Sequence, residues 1–187
     1  MPPPRHPYPH SRGPHALSWF YNSEGALDIV QLSELYRRIA DGLVKDGPLQ
    51  LTDVSVPIPE TVHAVVCHMR APRGELVLKL ELIWGDEFTL DALPHVHRGP
   101  HPDQPVYRSE GELTREQVAT LLRSLAGGLT NLGAVALGDL TLALPALVQG
   151  VVRYERPPRG ELVLRIEISW LDGSFVRTDP PIAELIG

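Results

Sequence analysis

The cysteine of this chain, Cys67, stands directly before His68 and four residues after His63, a grouping that could supply a thiolate nucleophile and a histidine base. The residues around it alternate in the manner of a β-strand, and neighbours on a strand point to opposite faces. Cys67 and His68 therefore cannot hydrogen-bond to each other. His63 shares the face of Cys67 but lies roughly 13 Å away along the strand. The pattern favours a structural thiol, and the sequence predicts no catalytic residue.

Three histidines, His95, His97 and His101, stand close together in a proline-rich stretch and are the candidate metal ligands. Zinc binds three or four ligands at about 2.0–2.1 Å, in positions fixed by further hydrogen bonds. A proline-rich segment without helical or strand periodicity does not supply that rigidity. Solvated histidines are the better interpretation, so the sequence predicts neither a specific metal site nor another cofactor.

Carboxylates recur in two similar strands, where Glu75 and Glu81, and likewise Glu161 and Glu167, flank a basic residue. Two carboxylates acting as acid and base need a cleft between them, and the sequence indicates none. The alternating signs favour cross-strand charge pairs on the solvent side of a sheet. Acid–base catalysis by these groups is therefore not expected.

Four arginines are expected at the tips of two hairpins. Exposed guanidinium groups could bind carboxylates or phosphates through paired hydrogen bonds. The alternative interpretation is that these arginines are ordinary exposed residues of a turn and bind nothing. This candidate basic cluster consists of Arg70, Arg73, Arg156 and Arg159.

Composition narrows the class of protein. The 187 residues carry a formal charge of −6 at pH 7, which disfavours a nucleic-acid partner. No run approaches the roughly 18 apolar residues of a membrane span, and the first ten residues lack the apolar core of a signal peptide. One cysteine excludes an intramolecular disulfide and suits a reducing compartment. We therefore expect a cytoplasmic protein without a membrane segment.

The secondary-structure elements that would position all these residues belong to an internal sequence repeat. The segment from Arg73 to Trp84 returns almost unchanged from Arg159 to Trp170, an offset of 86 residues. The same register extends without a gap from Arg12 to Asp86, and roughly 33 of its 75 aligned pairs are identical. This repeat predicts a tandem duplication. It divides the chain into a Pro/His-rich tail (1–15), copy one (16–90), a Pro/His-rich linker (91–104) and copy two with a C-terminal cap (105–187).

Each copy begins with a short extended stretch, which Pro105 places at a sheet edge in copy two. A polar connection, 21–25 or 107–111, should lead from it into a helix. The helices begin with capping boxes at Asp28 and Thr114 and have one apolar face.

Glycines, Gly47 and Gly133, should end the two helices. Gly138-Asp139 suits a hairpin turn in copy two, whereas Thr52-Asp53 leaves a single bulged strand possible in copy one. Two longer strands complete each copy. The order is β-α-β-(β)-β-β, an α+β fold in which an antiparallel sheet carries one amphipathic helix on one face.

In the strand 75–84, apolar residues alternate with polar ones and Trp84 ends the apolar row. Together with the segment 107–118, the helix at 121–126 and the equivalent strand 161–170, this pattern resembles the amphi-Trp domain family. Copy two resembles that family more closely than copy one, whose helix start differs. The resemblance implies the fold, with two tandem copies, and it transfers no activity and no site residue.

The sheet face that should contact water differs between the copies. Copy two has Val151, Arg153, Glu155, Val163 and Ser169 there, whereas copy one has three more apolar residues. A monomeric protein rarely leaves an apolar patch of this size in contact with water. We therefore expect that the other copy, a second chain or a partner protein covers it, with partial cover by the N-terminal tail as the alternative. The interface residues of this hypothesis are Val65, Cys67, Met69, Val77 and Ile83.

These features predict a non-enzymatic protein-protein interaction or scaffold module that forms part of an assembly, either with a protein partner or by self-association. The alternative is a protein that binds a small apolar ligand in a pocket between helix and sheet. Trp19, Trp84 and Trp170 would line that pocket, although ordinary core packing would also explain these tryptophans.

Overall fold

The computed structural model describes residues 18–85, 104–157 and 160–171, without the side chains of residues 18, 19, 104 and 105. The predicted tail 1–15 and all but the last residue of the predicted linker lie outside these ranges. In chain order the elements are β1 (Ser18–Asp28), α1 (Ile29–Val44), β2 (Leu49–Leu51), β3 (Val54–Val56), β4 (Thr61–Arg70), β5 (Glu75–Trp84), β6 (Gln104–Thr114), α2 (Arg115–Leu132), β7 (Ala134–Leu137), β8 (Leu140–Ala143), β9 (Leu147–Arg156) and β10 (Leu162–Leu171).

Six long strands form one antiparallel sheet in the order β1-β9-β10-β5-β4-β6. The remaining strands form two hairpins, β2-β3 and β7-β8. The sheet and the two helices make the fold α+β, as predicted. The sheet combines both halves of the repeat, because β1 pairs with β9 and β6 pairs with β4. The first strand of each half thus pairs with a strand of the other half.

The pairing is close to twofold symmetric. Tyr21 lies opposite Tyr154, and the residues 86 positions away, Tyr107 and His68, also lie opposite each other. Both edge pairs carry one extra residue at the same point, Phe20 in β1 and Val106 in β6. In the central pair, Leu80 faces its own counterpart Ile166. The pseudo-twofold axis therefore passes through the Leu80–Ile166 pair.

The first strand of each half is longer than predicted. We expected polar connections at 21–25 and 107–111, but β1 and β6 continue through them to the helix caps at Asp28 and Thr114. Hydrogen bonding to a strand of the other half explains the difference, since the pairing with β9 continues to Asp28. Pro105 does lie in an edge strand, because β6 is the last strand of the sheet.

Both helices begin with the predicted capping boxes, in which Asp28 pairs with Gln31 and Thr114 with Gln117. Their buried faces pack against each other and against one face of the sheet. At the contact, Ser33 Oγ lies 2.9 Å from Thr130 Oγ1. Neither described helix is long and apolar enough to cross a membrane.

The two helices end differently. Gly133 is the left-handed C-cap of α2 and donates its N–H to Leu129 O, as predicted. The C-cap of α1 is Lys45 in an extended conformation, and Gly47 follows two residues later with a φ of 93°. Gly47 is therefore not the cap, and the last carbonyls of α1 need other donors.

Arg115, the first residue of α2, supplies those donors. Its guanidinium donates to the carbonyls of Leu43, Lys45 and Gly47 at 2.8–3.0 Å, and to Ile58 O at 3.2 Å. The equivalent position in copy one is Ile29. Arg115 thus connects the start of α2 to the end of α1.

The short strands form a hairpin in both copies. Gly138-Asp139 makes the predicted turn between β7 and β8, and Gly138 has a φ of 57°. In copy one, Thr52-Asp53 also makes a turn, with Thr52 at a φ of 53°. Of the two alternatives for copy one, the hairpin is therefore the one observed.

Candidate functional site

The predicted interface residues of copy one lie on the sheet face that points away from the helices. Val65 and Ile83 join Val163 of β10 in a small apolar cluster that is separate from the main core. The predicted residues Val65, Cys67, Val77 and Ile83 are only 2–8% exposed, and Met69 is half-buried. Because this burial is reached within one chain, it does not require a second chain. An interface on this face stays a prediction.

Charged residues occupy the middle of the same face. Glu81 accepts from Lys79 Nζ at 2.8 Å, and Arg165 Nε lies 3.7 Å from the same carboxylate. Arg165 also pairs with Glu155 at 3.2 Å. These four side chains are 5–25% exposed, and Glu161 is 4% exposed. The expected cross-strand pair between β5 and β10 is present, and the charges on this face are more buried than expected.

Cys67 and His68 lie on opposite faces of β4. Cys67 is 2% exposed on the helix-free face. His68 points into the core, where its ring stacks on Trp170 with a centroid separation of 5.9 Å and its Nδ1–H donates to Val77 O at 3.0 Å. His63, on the face of Cys67, lies 3.7 Å from Glu110. Cys67 and His68 therefore do not form a nucleophile–base pair with each other.

Burial of His68 makes its protonation costly in the folded state. Its burial lowers the pKa of His68 below the ordinary 6.5; nearby Arg70 acts in the same direction, and the hydrogen bond to Val77 opposes both. The stability that this effect gives is complete above about pH 6.5 and is lost as the pH falls through 6.5 towards the folded-state pKa.

Replacing His68 by tyrosine is expected to remove this pH dependence while preserving the core. The equivalent residue is Tyr154, which stacks on Trp84 in the same way, so the site accepts a phenol ring. Urea unfolding across roughly pH 5 to pH 8 should show the free energy of unfolding falling in acid by about 1.4 kcal/mol per unit of lowered pKa in the parent protein. The His68→Tyr variant should show a flatter profile, and equal slopes would contradict the assignment.

The tryptophans belong to the core. Trp84 and Trp170 are each 8% exposed and stack on Tyr154 and His68, respectively. Each indole reaches a strand of the other half of the repeat. This is the core packing that the sequence also allowed, and the tryptophan-lined pocket stays a prediction. The side chain of Trp19 lies outside the described residues.

The hairpin arginines divide between the two ends of the sheet. Arg70 and Arg73 lie beside the start of β5, which faces the end of β10, whereas Arg156 lies near the start of β10, opposite Trp84. Ten strand residues, roughly 33 Å, separate these ends. Arg70, Arg73 and Arg156 therefore do not form one cluster. Arg159, together with His95, His97 and His101, lies outside the described residues.

Large apolar side chains are exposed where α1 begins, α2 ends and β9 begins. Val30, Leu132 and Leu147 are 65%, 78% and 62% exposed. We call these three residues the apolar end. No local pattern distinguishes these three residues, because each is a single apolar residue in an ordinary position for its helix or strand.

Neighbouring contacts place the three residues of the apolar end at one junction. The Ile29 side chain, next to Val30, lies 3.7 Å from the point where a Cβ on Gly133 would stand, and Gly133 follows Leu132. Leu147 lies opposite Asp28, two residues before Val30. The start of α1, the end of α2 and the start of β9 thus meet there.

The equivalent junction in the other half carries polar residues. An offset of 86 relates Val30 to Glu116, Leu132 to Asp46 and Leu147 to Thr61. Asp46 and Glu116 both line one cavity of about 300 Å³, and we call Asp46, Thr61 and Glu116 the charged end. Comparison of the two copies position by position is the signal that could have identified the apolar end from sequence.

Comparisons of the chain with family models, curated proteins and solved structures found no match. Among residues 18–85, 104–157 and 160–171, no three His, Cys, Asp or Glu side chains gather in a way that could hold a metal ion.

Proposed function

We propose that this protein is a non-enzymatic interaction module that self-associates through its apolar end. The observation that carries the proposal is the high exposure of Val30, Leu132 and Leu147 at one junction. Contact of several large apolar side chains with water is unfavourable, and exposed apolar patches are typical of protein contact sites.

The internal repeat indicates that the fold does not need these apolar side chains. The equivalent positions at the charged end carry glutamate, aspartate and threonine, although Asp46 follows the end of α1 and Leu132 is the last residue of α2. The strand registers at the two junctions correspond, so this pairing forms without large apolar side chains at the charged end. A role in association applies to the apolar end alone.

Like-to-like contact is the favoured geometry. Contact between an apolar end and a charged end would remove Asp46 and Glu116 from water without compensating partners, at high cost. Two apolar ends instead bury six large apolar side chains, each worth about 1.5–3 kcal/mol when fully buried. When the free-energy cost of association is subtracted from this burial free energy, the remainder supports a closed dimer with a dissociation constant on the order of 10 µM.

The proposal extends to the origin and location of the protein. The internal repeat and the pseudo-twofold symmetry of the strand pairing support a tandem duplication of an amphi-Trp-like unit. As a separate chain, one such unit would form a dimer by exchanging its first strand with a second copy. A reduced, buried Cys67 suits a cytoplasmic location.

The test transfers the residues of the charged end onto the apolar end. Sedimentation velocity and native mass spectrometry of the parent protein, from about 1 to about 200 µM, should show a species of twice the 20.6 kDa chain mass. The combined variant Val30→Glu, Leu132→Asp, Leu147→Thr should remain monomeric, and it should fold because all three side chains are largely exposed.

Two single variants serve as controls. Val44→Thr removes an exposed apolar side chain near the charged end and copies Thr130, so the dimer should persist. Met69→Arg changes the helix-free face. Loss of the dimer in Met69→Arg with retention in the combined variant would place the interface on the originally predicted face, and a parent protein that is monomeric throughout would refute self-association.

A further inference from the structure

A cavity of about 320 Å³ lies between the outer side of α1 and strands β1 and β9. Its size is at the lower end of the range for small-molecule sites, about 300–1,000 Å³. The lining combines aliphatic side chains with polar and charged ones, the charged ones being Glu24, Glu34 and Arg38. The aliphatic part consists of Leu27, Leu35, Leu51 and Val152.

Two glycines line the cavity on the side of the sheet, where they add no side chain. Gly25 and Gly150 lie opposite each other in the β1–β9 pair, and a Cβ on Gly25 would meet no atom within 4 Å. A Cβ on Gly150 would stand 2.6 Å from Leu27 Cδ1, so Leu27 occupies space that a side chain at position 150 would take. An alanine at this position would force Leu27 to move.

The other copy provides a natural comparison. At an offset of 86, the apolar lining is conserved in type, as leucine, leucine, leucine and valine. The residue equivalent to Gly150 is Ala64, which lies opposite Gly111 in the β4–β6 pair. Of the three charged lining residues, Glu24 corresponds to Glu110, whereas Glu34 and Arg38 correspond to Thr120 and Ser124. Gly150, Glu34 and Arg38 thus distinguish the copy-one site from its counterpart.

Glu34 and Arg38 line the cavity with opposite charges. They stand four residues apart on α1, a spacing at which such pairs usually attract each other. Both are exposed, and neither forms an ion pair or a side-chain hydrogen bond with another described residue. An acceptor and a donor are thus both available at the opening of an apolar cavity.

We propose that this cavity binds a small zwitterion with a hydrocarbon body, namely a free amino acid with an aliphatic side chain. The hydrocarbon group contacts the four apolar side chains, the carboxylate pairs with Arg38 and the ammonium group pairs with Glu34. A ligand lacking either charge leaves one of these residues without a partner. The site is independent of the self-association proposed above, because it includes none of the three residues of the apolar end.

The test uses L-leucine as the probe and backbone amide NMR of the full chain as the readout. Saturable shifts should appear at residues around the cavity, such as Gly25 and Gly150, with a dissociation constant on the order of 1 mM, as expected for a small, open site. 4-Methylpentanoate and isopentylamine, which are L-leucine without its ammonium group and without its carboxylate, should each bind at least several-fold more weakly than L-leucine.

Variants copied from the other half assign the site. Arg38→Ser should weaken L-leucine binding several-fold and leave isopentylamine binding unchanged. Glu34→Thr should weaken L-leucine binding several-fold and leave 4-methylpentanoate binding unchanged. Gly150→Ala should weaken all three ligands by moving Leu27, whereas Ala64→Gly should change none of them. Arg38 and Glu34 are exposed, so their variants should fold even if Gly150→Ala does not. Absence of saturable shifts, or shifts that survive Arg38→Ser and Glu34→Thr unchanged, would overturn the proposal.

Discussion

Replacing Arg115 by alanine is expected to lower the free energy of unfolding by about 2–4 kcal/mol. The guanidinium is half-buried and donates to carbonyls at the end of α1 and to Ile58 O. Alanine would leave these carbonyls with no donor in a region with limited access to water. It would also remove a positive charge from the end of α1, where the helix dipole favours one.

Arg123 provides the matched control. It also lies on α2 and reaches α1, where it pairs with Asp41 at 3.0 Å, but both side chains are largely exposed. Exposed ion pairs contribute about 0–1 kcal/mol, so Arg123→Ala should change stability little. Urea unfolding followed by circular dichroism measures both variants. A loss in Arg115→Ala no larger than that in Arg123→Ala would show that α1 ends without help from Arg115.

Replacing Trp84 by alanine is expected to cost about 3–5 kcal/mol, the range for deletion of a large aromatic side chain from a core. The indole is 8% exposed and stacks on Tyr154 with a centroid separation of 6.0 Å. Tyr154 belongs to the other half of the repeat, so the variant loses a contact between the halves as well as buried area. With total stabilities of about 5–15 kcal/mol typical for native proteins, the variant should be close to unfolding.

A double-mutant cycle separates the stacking contact from simple burial. Trp84→Phe and Tyr154→Leu, singly and together, should give a coupling free energy of about 0.5–1.5 kcal/mol. Thermal or urea unfolding of the four proteins supplies the measurement. If Trp84→Ala costs less than about 1 kcal/mol, the indole is not part of the core, and the hypothesis of a tryptophan-lined ligand pocket returns.

Local signals predicted most of the secondary structure. The alternation in β5 and β10, the apolar faces of both helices and the capping boxes at Asp28 and Thr114 all depend on residues within a few positions of one another. The strand–helix boundary in each half was predicted less well. Polar residues at 21–25 suggested a connection, whereas strand pairing with the other half extends β1 through them.

The candidate sites were less predictable because exposure is not a local property. Cys67 and Ile83 were expected at an interface, yet both are buried within the chain, and Glu161 is buried although it was expected in water. In contrast, Leu132 and Leu147 gave no local signal and are among the most exposed apolar residues. The strand alternation separates two faces, but packing determines which face is covered.

Side-chain chemistry over a few residues is enough to predict the alternating faces of the strands, and the 86-residue offset of the repeat can be read from the residues themselves. Which strands pair across the halves depends instead on tertiary contacts. Strands β4 and β9 have nearly the same pattern, so β1 could pair with either one through equivalent local interactions. The exchange of β1 and β6 creates the single six-stranded sheet, and with it the contrast between the apolar end and the charged end.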